Sequence, residues 1–296
     1  MRNMAKGKIV KALSGFYYVQ VGEEMYQCRG RGLFRKQKVT PLVGDYVEID
    51  IQDHHEGYVT KIEKRKNELI RPPIANIDQA FIVTSAVEPD FNALLLDRFL
   101  VLIESNDIHP IIIVTKMDLL DENMQEEMKQ NKMLYEKLGY DVILCSSKEK
   151  EQVEKVIPFI EGKTSVIAGQ SGVGKSTFLN TLKPELNLET GKISESLGRG
   201  RHTTRHVELL ALYGGFVADT PGFSSLEFTD LEAEELPNCF PEMVERRDEC
   251  KFRGCLHFKE PKCAVKLAVE NGEISSIRYN HYVQFLEEIQ NRKPRY

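Results

Sequence analysis

Tryptophan is absent from this 296-residue chain, and its six cysteines are too few for a disulfide scaffold in a protein of this length. Ring stacking therefore falls to 11 tyrosines and 14 phenylalanines. No apolar run approaches the roughly 18 residues that cross a bilayer, so no membrane association is expected. The first eleven residues are basic but have no apolar stretch behind them, which argues against a secretory signal and for a reducing, cytoplasmic setting. Internal repeats and low-complexity tracts are missing too, which sets aside solenoids and disordered arrays. What remains is a globular composition, 41% hydrophobic and 29% charged. The length is about twice the common domain size, so two or three domains are expected.

A net charge of −5 conceals an internal asymmetry. Residues 1–71 carry 14 Lys and Arg against 9 Asp and Glu, residues 72–237 carry 15 against 27, and residues 238–296 carry 11 against 9. A basic first part beside an acidic middle can present an anion-binding surface whatever the overall charge.

Short apolar segments at 15–21, 24–28, 45–51 and 57–62, separated by Gly, Pro and polar turns, predict a small β-barrel over residues 1–71. Arg29, Arg31, Arg35, Lys36 and Lys38 cluster in one glycine-containing stretch, with Tyr17, Tyr18 and Tyr26 on nearby strands. That mixture suits phosphate contacts and base stacking, and RNA binding is expected there. From residue 78 onward apolar β runs (79–85, 110–115, 142–145, 165–168) alternate with helical stretches (94–105, 123–138), the pattern of a parallel sheet with crossover helices. After residue 237 the chain turns to Cys, Arg and Lys and ends in a helical stretch at 274–289. The division is thus 1–71, 72–237 and 238–296.

Gly169, Gln170, Ser171, Gly172, Val173, Gly174, Lys175 and Ser176 match the eight-residue phosphate-loop pattern, directly after a β run and before a helix opening at Thr177. Glycines at these positions let main-chain N–H groups converge on phosphate oxygens at a helix N-terminus, Lys175 adds a point charge, and Ser176 offers a hydroxyl to Mg²⁺. The loop does not distinguish ATP from GTP. Thr115, Lys116, Met117 and Asp118 follow another β run, and a carboxylate here accepts from both N1–H and the 2-amino group of guanine. Adenine has no such pair of donors. Ser146, Ser147 and Lys148 would complete a guanine pocket through a main-chain N–H to the base O6. Asp219, Thr220, Pro221 and Gly222 supply a carboxylate for Mg²⁺ and a glycine N–H for the γ-phosphate. None of the smaller motifs decides alone; together with the phosphate loop they specify a guanine nucleotide.

Ras-like GTPases carry these motifs in the order phosphate loop, switch threonine, DxxG, [NT]KxD, SAK. Here the cyclic order is kept and the starting point moved, which predicts a circularly permuted α/β phosphate-loop GTPase domain. The window between phosphate loop and Asp219 holds Gly198, Arg199, Gly200, Arg201, His202, Thr203, Thr204 and Arg205, with Thr204 favoured over Thr203 as the switch ligand of Mg²⁺. After Gly222 stands Phe223, where Ras-like enzymes place a glutamine that orients the attacking water, so His202 becomes the candidate catalytic group. Cys250, Cys255, His257 and Cys263 offer three thiolates and an imidazole within fourteen residues, the ligand set of a closed structural Zn²⁺ site.

The motifs TKMD, SSK, GQSGVGKS, GRGRHTT and DTPGF in this rotated order, between a basic β-barrel and a Cys-Cys-His-Cys segment, closely resemble the bacterial ribosome small subunit-dependent GTPase A family over essentially the whole chain. The resemblance implies an OB-fold at the N-terminus and a small, mainly helical zinc domain at the C-terminus. It also implies GTP hydrolysis to GDP stimulated by the small ribosomal subunit, and a role in late maturation of that subunit through rRNA contacts. In that family the histidine matching His202 is regarded as catalytic and the threonine matching Thr204 as the switch residue. The family more often has Asn where this chain has Thr115, which bears on fine positioning of the base. A monomer binding GTP with Mg²⁺ is expected. The rival readings are an RNA-binding assembly module in which GTP occupancy is the signal, and a small-molecule kinase, which Asp118 disfavours.

Overall fold

The computed structural model describes residues 3–30, 32, 34, 39–53, 55–70, 72–146, 148–186, 188, 207–219 and 226–292. Their elements fall into two compact units, Met1–Phe81 with Ser147–Ser224, and Ile82–Ser146 with Ser225–Tyr296.

In the first unit, β1 (Asn3–Leu13), β2 (Phe16–Val21), β3 (Glu24–Gly30), β4 (Tyr46–Asp53) and β5 (Glu56–Ile62) close into an OB-like barrel in the order β1-β2-β3-β5-β4. Alternation along each strand sends Ile9, Val19, Val47, Ile49 and Val59 inward, all essentially buried. Each such side chain contributes about 1.5–3 kcal/mol. The expected segments at 15–21, 24–28, 45–51 and 57–62 correspond to β2–β5. β1 went unread because lysine and glycine interrupt its alternation and its register shifts between Ile9 and Lys11. That shift bends β1 from its pairing with β4 to its pairing with β2. A ribbon of β6 (Glu68–Leu69) and β7 (Ile74–Ala75) follows. Gly44, at φ 92, lies so close to Ala75 that an added Cβ would stand 2.0 Å from its carbonyl oxygen, so only glycine fits.

The described residues contribute six strands to one sheet, in the order β10-β9-β8-β11-β13-β12. These are β8 (Gln79–Ser85), β9 (His109–Thr115), β10 (Asp141–Leu144), β11 (Thr164–Ala168), β12 (Leu209–Leu212) and β13 (Gly215–Asp219). β10 pairs β9 and β11 pairs β13 in parallel, whereas β12 pairs β13 antiparallel. β8 and β11 are buried nearly throughout, which is why they read as continuous apolar runs.

The crossover helices of the second unit are α1 (Ala93–Glu104) and α2 (Glu122–Lys137). Asn92 caps α1 by accepting from Leu95 N–H, and Asp121 caps α2 by accepting from Met124 N–H, each worth about 1 kcal/mol. Short helices α3 (Lys150–Val153) and α4 (Ile157–Ile160) lead back to β11, and α5 (Lys175–Leu182) follows it. The C-terminal segment adds α6 (Pro241–Val244), α7 (Ala264–Glu270) and α8 (Ser276–Gln290). Phe240, Met243, Tyr282, Phe285 and Leu286 form one buried cluster with Val101 of α1. Among the described residues no helix is long and apolar enough to cross a membrane.

Candidate nucleotide and metal sites

β11 ends at Ala168 and the chain enters the phosphate loop through glycines at φ values that side-chain-bearing residues rarely adopt: 141 at Gly169, 83 at Gly172 and 94 at Gly174. The loop tip, Gln170, Ser171 and Gly172, is exposed, while buried Val173 anchors it and Phe178, Leu179 and Leu182 pack α5 behind it. Lys175, the first residue of α5, donates its ammonium to the carbonyls of Gly169 at 2.8 Å and Gln170 at 2.7 Å. A cation is thereby held at the centre of a glycine loop that opens onto a helix N-terminus, an arrangement that attracts a polyanion. Ser176 and Thr177 follow in the first turn of α5. Parallel register sets Asp219, the last residue of β13, beside Ile167, two residues before Gly169. The backbone of Asp219 thus ends its strand alongside the one that opens into the phosphate loop.

In the second unit, β9 ends at buried Thr115, and Lys116 at φ 61 turns the chain into a single 3₁₀ turn, Met117–Leu119, that carries Asp118. Met117 N–H donates to the Cys145 carbonyl at 3.4 Å, and Cys145 N–H to the Val114 carbonyl at 2.9 Å, so this turn and the end of β10 are tied together. Ser146 is buried at the end of that segment and Lys148 is exposed. Ser147, His202, Thr203, Thr204 and Gly222 lie outside the described residues.

Cys250, Cys255, His257 and Cys263 do come together: their ligand atoms all lie within 4.8 Å of one another. His257 Nδ1 is 3.6 Å from Cys250 Sγ and 3.3 Å from Cys263 Sγ. The loop is shaped by Glu260, whose carboxylate accepts from Leu256 N–H at 2.9 Å and Phe258 N–H at 3.0 Å. Tyr279 and Tyr282 of α8 brace it by donating to the His257 and Leu256 carbonyls. Burial pushes the Cys255 thiol up to about 12 and raises Cys263, while it lowers His257. Such a set resists thiolate charge on its own, and a bound cation would reverse that preference. Three soft sulfurs and one imidazole nitrogen at these separations can hold a metal ion with no position left open.

On the barrel, Arg29 is exposed, its guanidinium 4.9 Å from the Phe16 ring centroid. Arg31, Arg35, Lys36 and Lys38 lie outside the described residues. Tyr26, expected to be free for stacking, is buried: register pairs it with Val19 on the inner face, and its hydroxyl donates to Glu24. Tyr58, which sequence reasoning passed over, is exposed and stands opposite Arg29 in the β3–β5 pairing. Its signal was the two-residue alternation of β5, where glycine and valine mark the inner face.

Known proteins resemble this chain over nearly its whole length. Residues 6–59 match the model of the RsgA N-terminal domain and residues 62–229 that of the RsgA GTPase. The chain is 64% identical over 293 residues to the small ribosomal subunit biogenesis GTPase RsgA 2 of Oceanobacillus iheyensis, covering 99% of this chain and all of that one. It is 59% identical over 298 residues, with the same coverage, to its Bacillus subtilis counterpart. The crystal structure of YloQ, described as a circularly permuted GTPase, superposes with a TM-score of 0.87 at 55% identity, covering 99% of this chain and 98% of that one. YjeQ from Thermotoga maritima gives 0.87 at 36% identity, covering 98% and 100%. A permuted GTPase fold, a phosphate loop closed on its lysine and two matching family models lead to one conclusion: the chain belongs to the RsgA GTPase family and is a GTP-hydrolysing enzyme.

Proposed function

We propose that this GTPase acts in biogenesis of the small ribosomal subunit, as the names of its relatives say of them, and that the subunit stimulates its hydrolysis of GTP to GDP. The observation that carries the reading is the phosphate loop with Lys175 at its centre. In this reading the loop amides of residues 169–177 and Lys175 stabilise charge on the β- and γ-phosphates. Asp118 reads the base of the same nucleotide, the Lys116 stem covers its face, and the Ser146–Lys148 segment meets its O6. Ser176, Thr204 and Asp219 would hold Mg²⁺, which would supply charge neutralisation at the phosphates. Gly222 N–H meets the γ-phosphate and His202 orients the attacking water.

The three parts 1–71, 72–237 and 238–296 are then an rRNA-binding barrel, the GTPase and a metal-stabilised module. Arg29, Arg31, Arg35, Lys36 and Lys38 are assigned to rRNA phosphates. The ion assigned to Cys250, Cys255, His257 and Cys263 is a structural Zn²⁺, which fits three sulfurs and an imidazole better than any hard cation. The protein works as a monomer in the cytoplasm, where ribosomes are assembled.

Turnover measured with and without small subunits tests the reading. Strong stimulation that His202→Ala abolishes is expected. Unstimulated turnover with intact nucleotide-dependent subunit binding would instead make GTP an occupancy signal for an assembly module.

A further inference from the structure

The turn that carries Asp118 hangs on the end of β8 and the loop that follows it. Thr115 is fully buried, and its hydroxyl donates to the Thr84 carbonyl at 3.1 Å. Its own carbonyl accepts from Ala86 N–H at 3.0 Å. Side chain and main chain therefore fix the same residue against residues 84–86. Lys116 turns the chain at φ 61, and its ammonium donates to the Glu88 carbonyl. The receiving loop is itself closed: buried Ser85 donates its hydroxyl to the Pro89 carbonyl at 2.6 Å, and Phe91 N–H donates to the Ala86 carbonyl at 3.3 Å.

A carboxylate distinguishes guanine by accepting two donors side by side, N1–H and the 2-amino group. Each acceptor oxygen has to sit within a few tenths of an ångström of its place, because hydrogen bonds weaken steeply with misalignment. Asp118 is only three residues from Thr115, with the left-handed Lys116 as the elbow between them. A small rotation at Thr115 therefore moves the carboxylate along the base edge. We infer that Thr115 is a positioning residue for guanine selectivity: its hydroxyl, seated on the Thr84 carbonyl near the end of β8, where Ser85 closes the loop that follows, sets the placement of Asp118. The proposal rests on Asp118 being the base-reading carboxylate, as proposed above. It gives the threonine of TKMD a role in which it does not touch the base.

The experiment compares GDP with inosine diphosphate, which lacks the 2-amino group, in the wild type and in Thr115→Val, Thr115→Ser and Ser85→Ala, alongside thermal melting. Thr115→Val keeps the shape and removes the donor; it is expected to lower the GDP preference over inosine diphosphate by about 3–10-fold, and Thr115→Ser to restore it. A lowered melting temperature with an unchanged preference would make the hydroxyl merely structural and overturn the proposal. If Thr115→Val does not fold, Ser85→Ala carries the same measurement, since it opens the receiving loop without altering the turn: a reduced preference supports the proposal and an unchanged one overturns it. A different result marks failure of the underlying reading. If the wild type does not prefer GDP, or if Asp118→Ala keeps the preference, Asp118 does not read the base and the proposal falls with it.

Discussion

A carboxylate presents two acceptors, whereas the amide of asparagine presents one acceptor and one donor. Guanine offers two donors at N1 and C2; xanthine keeps the N1–H donor but has a carbonyl at C2. Asp118→Asn should therefore exchange guanine for xanthine nucleotides. Loss of a charge-assisted pair costs about 3 kcal/mol, on the order of a hundredfold in Kd for GDP, with a matching gain for xanthosine diphosphate. Competition binding with the two nucleotides measures both. A second residue sets a pH dependence. Lys8 of β1 is buried, hydrogen-bonded to Thr164 and 4.7 Å from the Tyr46 ring centroid. Burial brings its ammonium down from 10.5 to about 8, against the pull of Asp78. Below pH 8 both folded and unfolded chains are charged there, and the burial penalty is present in full. Between pH 8 and 10.5 the folded chain gives up the proton first, so this residue's contribution to stability rises with pH. Relative to Lys8→Met, the wild type should gain on the order of 2 kcal/mol between pH 7.5 and 10, read from urea unfolding at both values.

At the scale of elements, α8 shows what sequence patterning conveys and what it hides. The chain's last helix was legible from Ile274, Ile277, Tyr282, Phe285, Leu286 and Ile289, but the buried stripe begins at Arg278, and Ile277 is exposed. Residues 278, 282, 285, 286 and 289 repeat at helical spacing; a charged residue at the head of that series looks like surface until its partners are known. Those partners are remote in sequence. Arg278 donates to Glu242 at 2.6 Å and to Asp97 of α1, and Asp97 also accepts from Tyr135 of α2 at 3.0 Å. Burial opposes the guanidinium charge, but the two carboxylates outweigh it and hold the proton firmly. By contrast β8, β9 and α1 were legible to within a residue or so, because continuous apolar runs bounded by polar turns need no distant partner to be recognised. The phosphate loop was legible for the same reason, since its glycines, lysine and flanking elements are contiguous. Thr115 was legible as part of TKMD, but its tie to the end of β8 and the part played by Ser85 were not, because both depend on which strand lies beside β9. Arg278→Met should destabilise the second unit by about 3–5 kcal/mol, since it leaves Asp97 and Glu242 buried without their cation. Urea unfolding followed by far-UV circular dichroism measures it.

For the molecule as a whole, a metal held by the Cys-His cluster would act well beyond its own loop. The Cys-His loop is braced by Tyr279 and Tyr282 of α8, and α8 reaches α1 through Arg278 and through the paired contacts of Arg98 with Glu288. α1 in turn begins directly after the loop on which the Asp118 turn rests. All of these residues lie in one compact unit, and the barrel strands lie in the other. A metal bound by the native cluster but weakly by the unfolded chain contributes its binding free energy to the fold of that unit. Stripping it with a strong chelator should therefore do more than fray residues 250–263. Hydrogen exchange should accelerate together through α8, α1 and the turn at 115–119, while β4 and β5 of the barrel keep their protection. Cys255→Ser, which removes one ligand, should give the same pattern without chelator. Acceleration confined to the Cys-His loop would mean that α8 and α1 hold together without the metal, and that the C-terminal segment is an appendage to the unit that carries the Asp118 turn.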